Sequence, residues 1–166
     1  MTWLTVNRGC NFRCEWCYAA GTGYDPDDDM PFELAMEHIE IAKQVGTKKM
    51  FLIGGEPTLW PHLFAVTDAL RDAGIRSILV SNAFKFANDE FWEAYQQHPC
   101  DAVGASFKGY DAESLFQSTG VRNFDAATRG LRRICELQRN SVLSFVYASA
   151  YEGHLVDMVR YAKECG

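Results

Sequence analysis

Five times along the chain, a short apolar, β-branched run is followed by a longer run with helical spacing. Strands separated by helices pair in parallel through right-handed crossovers, with the helices packed outside the sheet. The alternation therefore restricts the chain to the α/β class. Strands are expected over residues 3–6, 50–53, 78–80, 102–107 and 142–148. Helices are expected over about 31–45, 61–73, 88–97, 125–139 and 154–164. Met50-Phe51-Leu52-Ile53 is unbroken and too short for a helix, as in a strand covered on both faces. In the first helix Leu34, Ala35, Ile39, Ala42 and Val45 share a face; Pro31 suits its first turn and Gly46 its end. Gly74 follows the second helix, and Asn88 and Asp125 are placed to cap later ones. In parallel α/β folds the active site lies at the carboxyl ends of the strands. Chemistry is thus expected just after Asn7, Ile53, Val80, Phe107 and Ala148.

No repeat, linker or composition shift divides the 166 residues, so a single domain is expected. A chain this long buries about 70% of its unfolded surface and needs no disulfide staples. Apolar residues at 48% and charged residues at 23% exclude a disordered chain, a collagen or a coiled coil. No run of about 18 apolar residues occurs to span a membrane. Residues 1–8 lack the basic start and apolar core of a signal peptide. The expected location is cytoplasmic, where cysteines are reduced. Sixteen basic against twenty-two acidic residues give a formal charge of −6, with the basic residues scattered. That excludes a broad nucleic-acid face, but not a local anion site at a loop or helix end.

Three of the six cysteines lie together in Cys10-Asn11-Phe12-Arg13-Cys14-Glu15-Trp16-Cys17, a C-x3-C-x2-C triplet after the first strand. Cys100, Cys135 and Cys165 are far apart and expected to be packing residues, Cys165 exposed near the end. This is a metal-cluster pattern rather than a disulfide framework. Soft thiolates favour zinc, copper(I) or iron–sulfur clusters. Zinc normally takes a fourth protein ligand, and the nearest histidine, His38, sits in a helical pattern. A four-iron cluster on three cysteines leaves one iron open, whereas pure electron transfer usually takes four. The iron–sulfur reading leads, with zinc and three buried structural cysteines as the alternatives.

The triplet, together with Gly54-Gly55-Glu56-Pro57-Thr58-Leu59 after the second strand, resembles the radical S-adenosylmethionine (radical SAM) superfamily. The order of strands and helices also fits, so the resemblance covers nearly the whole chain. It implies a parallel partial (β/α) barrel of the radical SAM type, with about five β-α units. It implies a [4Fe-4S] cluster on Cys10, Cys14 and Cys17. It implies that the open iron is chelated by the amino and carboxylate groups of S-adenosylmethionine, with Gly54, Gly55, Glu56 and Pro57 at the cofactor. Two glycines let the backbone approach a ligand, and their peptide groups and Glu56 can hold an ammonium. One electron from the reduced cluster then cleaves a carbon–sulfur bond. Methionine and a 5′-deoxyadenosyl radical result, and the radical takes hydrogen from the substrate. The protein binds, orients and excludes solvent.

Further positions follow from the same resemblance. Trp16 is a platform near the adenine or a packing residue. Ser81-Asn82-Ala83 resembles the family's Thr-Asn-Gly, with alanine for glycine. Ser81 and Asn82 can meet S-adenosylmethionine or cap the following turn. Ser106-Phe107-Lys108-Gly109 is similar to the Asp-x-Lys segment of glycyl-radical activating enzymes and to the Ser-x-Asp segment of other subfamilies. Period two puts Ser106 and Lys108 on one side, where Ser106 can bond a ribose hydroxyl and Lys108 a carboxylate. Residues 111–120 carry a looser likeness to the same activating enzymes. These features tilt the substrate toward a protein or peptide. The implied partners are a flavodoxin- or ferredoxin-like electron donor and a substrate the sequence does not identify; neither membrane nor nucleic acid is indicated. The competing class is a non-catalytic iron–sulfur or S-adenosylmethionine-binding module.

Other features read as ordinary. Asp25-Pro26-Asp27-Asp28-Asp29 lacks the EF-hand spacing, and Gly21-Thr22-Gly23 lacks the third glycine of a dinucleotide fingerprint. His38, His62 and His98 read as surface or satisfied core residues. His154, beyond the fifth strand, is a candidate cofactor contact. The family core usually has a sixth β-α unit, and five are counted here. The chain is therefore read as a natural minimal form, a truncation, or one whose open sheet edge is covered by a homodimer mate or another partner.

Overall fold

The computed structural model describes residues 1–20, 27–137 and 141–166. One parallel sheet carries β1 (Thr2–Thr5), β2 (Lys49–Ile53), β3 (Arg76–Ser81), β4 (Ala102–Ser106) and β5 (Ser141–Ser144), in that order. Helices α1 (Phe32–Gln44), α2 (Leu63–Asp72), α3 (Asp89–Gln97), α4 (Ala112–Thr119), α5 (Phe124–Glu136) and α6 (Leu155–Cys165) connect and follow them. Leu4 pairs with Leu52, Leu52 with Leu79, and Leu79 with Val103, giving one row across four strands. Every member of that row is buried. A slip of one residue would turn each to the other face, so this row fixes the register. The expected α/β class is the observed one.

Several local expectations need correction. Helix α4 falls where the sequence pattern predicts no helix. Asp111 and Ser114 form a capping box at its start, and Gly120 closes it in the left-handed region at φ 73°. Helix α5 is capped by Asn123, whose side chain accepts from the Ala126 amide at 3.0 Å, rather than by Asp125. Strand β5 stops at Ser144, four residues short of Ala148. Pro31 is the cap of α1 rather than part of its first turn, and α2 begins at Leu63. On α1, Ala35, Ile39 and Ala42 are buried, but Leu34 and Val45 are exposed. Cys165 is buried, not exposed, because α6 packs it into the core. The Gly21-Thr22-Gly23 segment, Asp25, Pro26 and Arg139 lie outside the described residues. No helix among the described residues is long and apolar enough to cross a membrane.

Beyond β3 the chain turns through Ala83, held at φ 66°, into a short 3-10 helix, Phe84–Ala87. Helix α5 packs against this turn. A Cβ on Gly130 would overlap the Ala83 carbonyl oxygen, and Arg133 Nη1 donates to Phe86 O at 2.8 Å. Glycine in mid-helix costs about 1 kcal/mol relative to alanine, so propensity alone favours Gly130→Ala. Overpacking costs about 1–3 kcal/mol. Gly130→Ala is expected to lower the urea midpoint, and a raised midpoint would contradict this packing.

Candidate functional site

Main-chain bonds carry the pairing of β1 and β2 past both strand ends. Val6 N donates to Ile53 O at 2.8 Å, Gly55 N to Asn7 O at 3.0 Å, and Glu56 N to Gly9 O at 2.8 Å. The cysteine loop and the Gly54–Glu56 turn therefore leave the sheet as one unit. A Cβ at Gly54 would overlap oxygens of Asn7, and one at Gly55 would overlap the carbonyls of Arg8 and Gly9. The glycine pair is needed for this chain-to-chain approach, a reason the sequence does not reveal. Asn7, buried, donates through Nδ2 to Glu56 O at 2.9 Å and Gly9 O at 3.3 Å.

Glu56 is only 1% exposed. Its Oε1 accepts from Thr58 N at 3.1 Å, Thr58 Oγ1 at 2.7 Å and Ser81 Oγ at 2.7 Å. Its Oε2 accepts from Asn82 N at 2.7 Å. Burial pushes the carboxyl pKa up, and these four donors pull against it. Pro57, buried, opens a 3-10 turn, Pro57–Leu59, behind it. Ser81 Oγ also accepts from Ala83 N at 3.0 Å. Asn82 Oδ1 accepts from Phe84 N at 3.0 Å, and its Nδ2 donates to Asn11 Oδ1 at 2.8 Å, reaching the cysteine loop. Glu56, Ser81 and Asn82 thus bridge β2, β3 and that loop.

Cys10 and Cys14 are half-buried and Cys17 is exposed. Burial pushes the Cys10 and Cys14 thiols up, while the Lys108 ammonium pulls Cys14 back. The three thiols are close enough to affect one another's charge. Among the described residues no three His, Cys, Asp or Glu side chains converge on a point that would hold a single ion. Phe12 anchors the loop in a small cluster with Leu115 and Ala127. Lys108 Nζ donates to Ser106 Oγ at 2.5 Å, on one side of the strand end as the period requires. Trp16 meets Tyr151 edge-on with centroids 5.6 Å apart. Its Nε1 is buried with no partner among the described residues. Tyr18 OH donates to Gly54 O at 3.0 Å.

A cleft of about 260 Å³ opens beside this loop, walled by Glu15, Asp111, Glu113, Ser118, Tyr151 and His154. The His154 ring stacks on Tyr110 at 5.3 Å, and its Nδ1 lies 3.0 Å from Asp157 Oδ2. Asn7 and Tyr151 shape the site and lie in no motif, while Asn11 and Ser118 lie inside quoted segments that assign them no role; the polar Asn7 just after an apolar strand is the one signal for the first pair.

A parallel α/β sheet with three thiols after its first strand and a Gly-Gly-Glu turn after its second defines a cofactor-binding protein of the partial-barrel class. The Radical SAM superfamily profile matches residues 4–162, and the chain belongs to that superfamily. Its members are enzymes that use a [4Fe-4S] cluster and S-adenosylmethionine, and generally need a reductant. The GTP 3′,8-cyclase of Haemophilus influenzae (strain PittGG) is 30% identical over 145 residues, 84% of this chain and 42% of that protein. The Pasteurella multocida (strain Pm70) cyclase is 29% identical over 151 residues, 84% of this chain and 44% of that protein. The chain spans less than half the length of these relatives. Streptococcus suis SuiB bound to its precursor peptide SuiA superposes with a TM-score of 0.80 at 18% identity, over 99% of this chain and 36% of that one. The anSMEcpe structure with bound AdoMet gives 0.79 at 19% identity, over 98% and 48%. These two likenesses show the shared fold.

The Glu56 cradle makes a sharp demand. Thr58 N–H and Asn82 N–H donate to different carboxylate oxygens, so an amide at this position must turn its NH2 on one of them. Glu56→Gln is expected to lose about 1–3 kcal/mol of stability, read by urea unfolding. An unchanged midpoint would contradict the geometry.

Proposed function

We propose that this chain is the core of a radical SAM enzyme in which Cys10, Cys14 and Cys17 ligate a [4Fe-4S] cluster. S-adenosylmethionine would bind beside that cluster, held by residues at the ends of β1 to β4. The observation that carries this reading is the setting of the triplet. Three thiols share one loop, and main-chain bonds join that loop to Gly55 and Glu56. Together the bound cofactors supply one-electron cleavage of a carbon–sulfur bond, giving methionine and a 5′-deoxyadenosyl radical that abstracts hydrogen.

The chain's own residues bind, orient and exclude water. Glu56, Ser81 and Asn82 hold the strand ends in place, their polar atoms already engaged by protein. Gly54 and Gly55 bring peptide groups up to the ligand, and Pro57 stiffens the turn behind them. Trp16 offers a ring face and an unpartnered N–H to the adenosyl group. Lys108, steadied by Ser106, offers an ammonium to a carboxylate. The electron comes from a flavodoxin- or ferredoxin-like donor.

For the substrate, the likeness to GTP 3′,8-cyclases at 30% identity supports a nucleotide over the peptide that Ser106-Phe107-Lys108 suggests. The cleft supports contact with a base or ribose. Its described walls are carboxylates, hydroxyls and rings, with no Arg or Lys among them for a triphosphate.

Anaerobic reconstitution with iron and sulfide, then dithionite and S-adenosylmethionine, should yield 5′-deoxyadenosine, and Cys14→Ala should reduce it to background. Full cleavage by Cys14→Ala would overturn the ligand assignment, and a bound cluster without cleavage in the native chain would favour a non-catalytic module. Added GTP should raise 5′-deoxyadenosine formation; stimulation by peptides and not by GTP would overturn the nucleotide reading.

A further inference from the structure

Cys14 lies between two residues whose amides are held by one helix. Arg13 N donates to Thr119 O at 3.0 Å, and Glu15 N donates to Ser118 O at 3.1 Å. Both carbonyls belong to the last turn of α4, where a helix has no intrahelical partners for them. The helix end and the cysteine loop therefore complete each other's hydrogen bonding.

A second group of contacts fixes that helix end. Ser118 Oγ donates to Lys108 O at 2.5 Å and also lies against Ser114 O. Its single proton serves one carbonyl at a time. Tyr151 OH donates to the same Lys108 carbonyl. The Tyr151 ring then meets Trp16, two residues beyond Cys14. Ser118 is 3% exposed and Tyr151 2% exposed. Residues on both sides of Cys14 thus rest on one buried knot, made by two hydroxyls and the Lys108 carbonyl.

We propose that Ser118 and Tyr151 are positioning residues that set the place of Cys14 and, through it, the electronic properties of the cluster it holds. The proposal rests on the reading of Cys14 as a ligand. Neither side chain is required to touch the cluster. Both act through the Lys108 carbonyl, the last turn of α4 and the Trp16 ring. Cluster potentials respond to hydrogen bonding and solvent access around the ligands, and outer contacts that orient a ligand alter metal sites when removed.

The test uses the full chain with Ser118→Ala, Tyr151→Phe and Ser118→Thr. In cluster-free protein, Ser118→Ala should speed hydrogen exchange of the Arg13 and Glu15 amides about fivefold, the effect of one net hydrogen bond. Amides of β3 should not change, and Ser118→Thr should restore the native rates. Tyr151→Phe, which keeps the ring, should speed the same two amides. In reconstituted protein, Ser118→Ala and Tyr151→Phe should shift the reduced cluster's paramagnetic resonance spectrum and midpoint potential, and Ser118→Thr should return both. Native exchange with native spectra in both variants would overturn the proposal. So would exchange that quickens equally in β3, since that reports lost stability. If the native chain takes up no cluster, the ligand reading fails, while the exchange comparison in cluster-free protein still decides the positioning.

Discussion

A buried carboxylate costs several kcal/mol unless its lone pairs are filled, and Glu56 is filled from two strand ends at once. Thr58 donates from the turn after β2, and Ser81 and Asn82 donate from the end of β3. Lys85 completes the setting: its Nζ donates to Thr58 O at 2.8 Å, and its charge favours the Glu56 anion. With these ends fixed, Asn82 can reach Asn11 and Asn7 can hold Gly9. The cysteine loop inherits its position from this chain of contacts.

The same loop is held from its far side by α4 and Tyr151. The two supports differ in kind. Around Glu56 the contacts join parallel strands that the register row already aligns. At α4 they join a short helix to a loop, through main-chain carbonyls, two buried hydroxyls and the packing of Phe12 on Leu115. At the carboxyl edge of the sheet this arrangement presents a coherent set: three thiols, the Trp16 N–H, which has no partner among the described residues, and the Lys108 ammonium beside Ser106. A rigid cradle with a few free polar groups is what an enzyme needs when its cofactors carry the chemistry.

The β-α alternation and the cysteine triplet were legible because both are local patterns. Their meeting at one edge follows from parallel topology. Helix α4 was not legible for a physical reason: three of its four buried residues, Ser114, Ser118 and Thr119, are polar, so it has almost no apolar period. Its signals were the Asp111 cap and Gly120, and both also fit a loop. The choice of Asn123 over Asp125 depended on which of two good caps the packing of α5 selects. For Glu56 the motif drew attention to the residue and suggested an ammonium partner. Two of the four donors that fill its carboxylate, from Ser81 and Asn82, come from the end of another strand, a long-range fact that no local pattern contains. The glycines before it likewise owe their necessity to Asn7, Arg8 and Gly9 in the segment that follows β1.

The central claim is that this loop holds a cluster with one iron open to S-adenosylmethionine. Its most direct test is the paramagnetic resonance spectrum of the reconstituted, dithionite-reduced chain, recorded with and without S-adenosylmethionine. The account predicts a four-iron signal whose g-values shift when S-adenosylmethionine is added. An unshifted signal, or none after full reconstitution, would contradict it.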